Sequence, residues 1–84
     1  MRLWALVTGA TAGIGESFTR LLAANNYNLV LVARDLPRLE ERASALQEKF
    51  GVETVVLQAD LATEQGCALI ENYIAEHEID VLIN

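Results

Sequence analysis

The sequence predicts an α/β fold built on a parallel sheet, from three observations. Short apolar runs alternate with helix-like segments in the order β-α-β-α-β-α-β. The first run, Leu3–Val7, is continuously apolar, as a strand buried on both faces requires. A glycine-rich turn stands where the first run meets the first helical segment. Strand alternating with helix implies parallel strands joined by right-handed crossovers. No internal repeat, low-complexity tract or linker divides the 84 residues, so they read as one domain or part of one.

Leu3–Val7 is the first apolar run, Asn28–Ala33 the second and Glu53–Ala59 the third, and a fourth begins at Asp80. The first helix is expected from about Gly13 to Asn25, with Ile14, Phe18, Leu21 and Leu22 inward. The second follows Asp35, a suitable N-cap, with Pro37 tolerated in the first turn. Leu36, Leu39, Ala43, Leu46 and Phe50 advance by three and four residues and share one face. Gly51 closes that helix as a C′ residue should. The third helix is expected from near Thr63 to near His77, with Cys67, Ile70, Tyr73 and Ile74 inward. Trp4 and Tyr27 read as packing residues at the sheet, and His77 as a cation favoured by the dipole of the helix end.

Composition narrows the partners. A net charge of −6 argues against nucleic acid, whose phosphates need a basic footprint, and against an anionic membrane surface. No apolar run approaches the roughly 20 residues of a membrane span, and Leu3–Val7 is too short for a secretion signal. Cys67 is the only cysteine, so no disulfide is available and a cytoplasmic setting is expected. One His and one Cys do not make a metal site.

The chemistry lies in Val7-Thr8-Gly9-Ala10-Thr11-Ala12-Gly13-Ile14-Gly15. A helix N-terminus offers unpaired N–H groups and a partial positive charge, where a pyrophosphate docks if no side chain blocks it. The common fingerprint Gly-x-Gly-x-x-Gly requires glycine where Thr11 stands, and the triphosphatase loop requires Gly-Lys, which is absent. The pattern present is Thr-Gly-x-x-x-Gly-x-Gly. It resembles the classical short-chain dehydrogenase/reductase family; the extended form of that family has glycine where Ala12 stands.

The resemblance continues along the chain. It implies a Rossmann-like doubly wound sheet of strand order 3-2-1-4, with the first two helices on one face and the third on the other. It implies cofactor contacts from Gly9, Thr11, Ala12, Gly13, Ile14 and Gly15 in the turn. Relatives preferring NAD carry an acid at the position of Ala33, whereas those preferring NADP often carry arginine where Arg34 stands. NADP(H) is therefore favoured over NAD(H), and a guanidinium fork suits phosphate. A second basic residue found in many such relatives is replaced by Ala12. Arg38 is within reach of the same phosphate, with a surface pair to Glu41 as its simpler role. Asp60 and Leu61 match the family's adenine contact, although Asp60 also stands where it would cap the third helix. Asp80-Val81-Leu82-Ile83-Asn84 resembles the start of the family's Asn-Asn-Ala-Gly signature, which places Asn84 at the cofactor's edge.

The family's catalytic Tyr-x-x-x-Lys pair is absent. Four residues after Tyr27 is Leu31, four after Tyr73 is His77, and four before Lys49 is Ala45. No catalytic residue is assigned, and residues 1–84 read as the N-terminal part of one dinucleotide-binding domain. The resemblance implies an NADP-dependent parent enzyme, homo-oligomeric, moving hydride to or from a carbonyl or alcohol substrate. A non-catalytic dinucleotide sensor is the alternative, and a Rossmann-like binder of S-adenosylmethionine is a third, which Arg34 opposes.

Overall fold

The four apolar runs form the four strands of one sheet. A computed structural model describes residues 2–84. In chain order the elements are β1 (Trp4–Thr8), α1 (Gly13–Ala24), β2 (Asn28–Ala33), α2 (Leu36–Phe50), β3 (Thr54–Gln58), α3 (Glu64–Glu76) and β4 (Val81–Ile83). The sheet order is β3-β2-β1-β4, every pair parallel. This is the expected 3-2-1-4 order.

Alternate side chains of the strands feed two cores. Ala5, Val7, Leu29 and Leu31 meet Ala23 of α1 and Leu39, Ala43 and Leu46 of α2. Leu6, Val30 and Val32 meet Ile70 of α3, with Tyr73 and Ile74 packed around them. Helices therefore cover both faces of the sheet. The two central strands are buried throughout their middles because each has a neighbour on both edges and a helix on both faces.

α2 follows its pattern closely. The Asp35 carboxylate caps it by accepting from the Arg38 N–H at 3.2 Å, and Gly51 ends it in the left-handed region at φ 69°. α1 ends a residue early, at Ala24, where Asn26 takes a left-handed φ of 71° and accepts from Arg2 Nε at 3.0 Å. The buried Asn28 side chain accepts from the Glu53 N–H at 2.9 Å and joins the start of β2 to β3.

Two helices turn differently from expectation. In α1, Ile14 is 76% exposed and Leu21 57%, whereas Thr19 and Ala23 are buried. Small residues face the sheet and let α1 sit low on it, which turns the second apolar stripe outward. The Thr19 hydroxyl is satisfied by donating to the Glu16 carbonyl at 2.6 Å. In α3, Cys67 is exposed instead of core, because Gly66, Ile70, Tyr73 and Ile74 set the inward phase. His77 ends α3, its ring stacked on Tyr73 with centroids 3.8 Å apart. No helix among the described residues is long and apolar enough to cross a membrane.

Candidate functional site

The chain leaves β1 at Thr8 and turns sharply into α1. Gly9 and Gly13 have φ of +63° and +58°, conformations that residues with a side chain rarely adopt. Gly15 answers a different need. A methyl group there would lie 2.8 Å from the carbonyl carbon of Gly9, so the first turn of α1 rests directly on the turn that precedes it.

The N-terminus of α1 is left open. Its N-cap, Ala12, is extended and provides no side-chain hydrogen bond. By contrast, Asp35 caps α2, and Thr63 caps α3 by accepting from the Gly66 N–H at 3.0 Å. The first-turn amides of α1 thus carry the positive end of a helix dipole with no side-chain acceptor.

The N-cap at this open helix end, Ala12, lines a cleft of about 550 Å³ at the carboxyl ends of β1, β2 and β3. Gly9, Thr11 and Ala12 line one part, Arg34 and Arg38 another, and Asp60 and Leu61 a third. Ligands of open α/β sheets bind in this position, beside the point where strand order reverses. Here the reversal falls between β1 and β4.

At the end of β2, the Arg34 carbonyl accepts from Gln58 Nε2 at 3.1 Å. This holds the backbone, while the Arg34 side chain is exposed at the cleft. The pair expected between Arg38 and Glu41 does not form. Ion pairs among the described residues are Arg20–Glu16 and Arg42–Glu16, at 2.6 and 3.1 Å. Helical side chains lean toward the N-terminus, which carries Arg38 over the first turn of α2 and into the cleft lining, away from Glu41.

Asp60 does not cap α3; Thr63 does. The Asp60 carbonyl accepts from the Thr63 N–H at 3.0 Å and hydroxyl at 2.8 Å, and its Oδ1 accepts from the Ala62 N–H at 2.9 Å. Gly66 then packs on the Asp60 backbone much as Gly15 packs on Gly9. In both cases the glycine stands six residues after the one it touches. That spacing is present in the sequence, and the glycine pattern at α1 alone does not point to Gly66 or to the cleft residues Thr8, Ala33 and Asp35.

The remaining candidates lie around the cleft instead of in its lining. Gly13 and Ile14 border a separate apolar hollow with Ser17, Phe18 and Leu21. Gly15 lies beneath the turn. Asn84 follows β4, where the Thr8 hydroxyl donates to its Oδ1 at 3.0 Å.

Residues 3–84 match the family model described as short chain dehydrogenase. The human very-long-chain 3-oxoacyl-CoA reductase is 40% identical over 81 residues, which is 96% of this chain and 26% of that protein. A short-chain dehydrogenase from Sphingobium yanoikuyae, solved in complex with NADPH, superposes with a TM-score of 0.92 at 38% identity, covering 95% of this chain and 32% of the other. An alcohol dehydrogenase from the archaeon Thermococcus sibiricus, complexed with 5-hydroxy-NADP, gives a TM-score of 0.90 at 33% identity, covering 98% and 36%. The chain thus spans about a quarter of that curated relative and about a third of these solved structures.

Proposed function

The chain belongs to the short-chain dehydrogenase family, and on that premise we propose that it forms the cofactor-binding part of an NADP-dependent oxidoreductase acting on a carbonyl or alcohol. Residues 1–84 then make up the N-terminal part of a single dinucleotide-binding domain. One observation carries this reading: the uncapped N-terminus of α1 borders the same cleft as Arg34. A dinucleotide needs amides for its pyrophosphate and, when it is NADP, a cation for its 2′-phosphate.

The residues present fit that ligand. Gly9, Thr11 and Ala12 border the pyrophosphate, with no side chain capping the amides of Gly13, Ile14 and Gly15. Arg34 takes the 2′-phosphate. Asp60 takes the adenine amine, its carboxylate oriented by the Ala62 N–H, and Leu61 lies against the ring. Asn84, held by Thr8, steadies the end of β4 at the cofactor's edge. When bound, the nicotinamide supplies or accepts hydride; these residues bind and orient it. The NADPH and 5-hydroxy-NADP named with the two solved relatives support the cofactor. Relatives named as a 3-oxoacyl-CoA reductase and an alcohol dehydrogenase support the substrate class.

The test is a calorimetric titration of the chain with NADPH and NADH, repeated with Arg34→Ala. Tighter binding of NADPH, cut by about tenfold in the variant, is expected from the loss of one charge-assisted contact. Equal affinity of the wild-type chain for both cofactors would overturn the NADP assignment.

A further inference from the structure

We propose that Arg38 is a second 2′-phosphate contact, so that the phosphate is gripped by two arginines on either side of Asp35 and not by the glycine-rich turn. This rests on the NADP reading above and adds a specificity residue to it.

The charge balance of the cleft favours a second cation. The 2′-phosphate monoester carries about 1.5 to 2 negative charges near neutral pH. The glycine-rich turn contributes none to meet them, since Thr11 and Ala12 are uncharged. The cations lining the cleft are Arg34 and Arg38, and the same lining includes the carboxylates of Asp35 and Asp60. Arg34 alone would leave the phosphate under-compensated beside two acids.

Arg38 is placed to supply the rest. Its main-chain N–H is fixed by the Asp35 carboxylate at 3.2 Å, so its Cα position is set by the cap of α2. It is exposed, forms no ion pair among the described residues, and lines the cleft together with Arg34. The cap also draws Asp35 Oδ1 toward the helix axis, which reduces its opposition to an anion. Two arginines in one cleft lining offer the charge and the donors that a dianion takes.

The experiment compares 2′,5′-ADP with ADP, ligands that differ in the 2′-phosphate and lack the nicotinamide half. Binding to the 84-residue chain is measured by calorimetry for wild type, Arg34→Ala, Arg38→Gln, Arg38→Lys and Arg34→Ala/Arg38→Gln, with folding checked by circular dichroism. Wild type is expected to favour 2′,5′-ADP, and Arg38→Gln to cut the affinity ratio by about tenfold. Arg38→Lys should recover part of the ratio, because the charge returns without the fork. The double variant should bring the ratio to about one. If Arg38→Gln keeps the wild-type ratio, or weakens both ligands equally, the Arg38 contact is overturned; loss of the ratio in Arg34→Ala would then leave the NADP reading standing. If wild type itself shows no preference, both fall.

Discussion

Gly66 lies against the backbone of Asp60 so closely that a methyl group on it would sit 2.6 Å from the Asp60 carbonyl carbon. The neighbour is main chain, which cannot swing aside as a side chain would. Gly66→Ala must therefore push α3 away from the loop that carries Asp60 and Leu61. Overpacking of this kind costs about 1–3 kcal/mol. In a domain of this size each kcal/mol lowers Tm by roughly 4–8 °C. Thermal unfolding by circular dichroism checks the loss, and a weaker affinity for ADP should accompany it.

Cofactor choice should be reversible at the end of β2. Ala33 borders the cleft beside Arg34. Ala33→Asp places a carboxylate where the ribose hydroxyls of NAD would donate and a 2′-phosphate would be repelled. NADPH affinity should fall by about tenfold or more, and NADH affinity should rise. Parallel titrations with the two cofactors measure the switch.

Asp35 serves α2 as a cap and, on the NADP reading, would oppose the 2′-phosphate as a charge, and the two effects are separable. Asp35→Asn keeps an acceptor for the Arg38 N–H and removes the charge. Stability should hold within about 0.5 kcal/mol while NADPH binds more tightly. Asp35→Ala removes the cap as well and should cost about 1 kcal/mol. Urea unfolding distinguishes the pair.

Burial raises the pKa of the Tyr73 phenol above its ordinary value of 10.0. The folded chain therefore holds this proton more tightly than the unfolded chain. The stabilisation it brings is fully present below about pH 10 and is lost as pH rises through the raised folded value. Tyr73→Phe should flatten the decline in stability above pH 10, as followed by denaturant midpoints.

The strands and α2 could be read from residue type alone. Leu29–Ala33 is continuously apolar, as a doubly covered strand requires, and Asp35 and Gly51 mark both ends of α2. The phases of α1 and α3 could not. Each has more apolar residues than one face can bury, and small residues win the inward position because close approach to backbone requires them. Ile14, Leu21 and Cys67 were misplaced on that account. The site divides in the same way. Gly9, Thr11, Ala12, Arg34, Asp60 and Leu61 line one cleft, because all stand at strand ends that the parallel order brings level. The place of Arg38 depends on which way a helical side chain leans, and spacing alone favours Glu41 as its partner.

β1 precedes the other three strands in the chain and lies at the centre of the sheet, yet its two neighbours stand at very different distances along the sequence. β2 follows after one helix, whereas β4 closes on β1 across the whole chain, with Trp4 N–H bonded to Asp80 and the Thr8 hydroxyl to Asn84, each 76 residues apart. Closing so long a loop carries a larger entropic cost than pairing β1 with β2, and non-local pairing slows folding. A β1-β2-β3 core with α1 and α2 is therefore expected to condense before β4 docks. The Thr8–Asn84 bond beside the cleft forms with the docking of β4. The outer edge of β1 stays open to wrong partners until residue 81 is available, which makes the interval before docking the stretch of the folding process most exposed to misassembly.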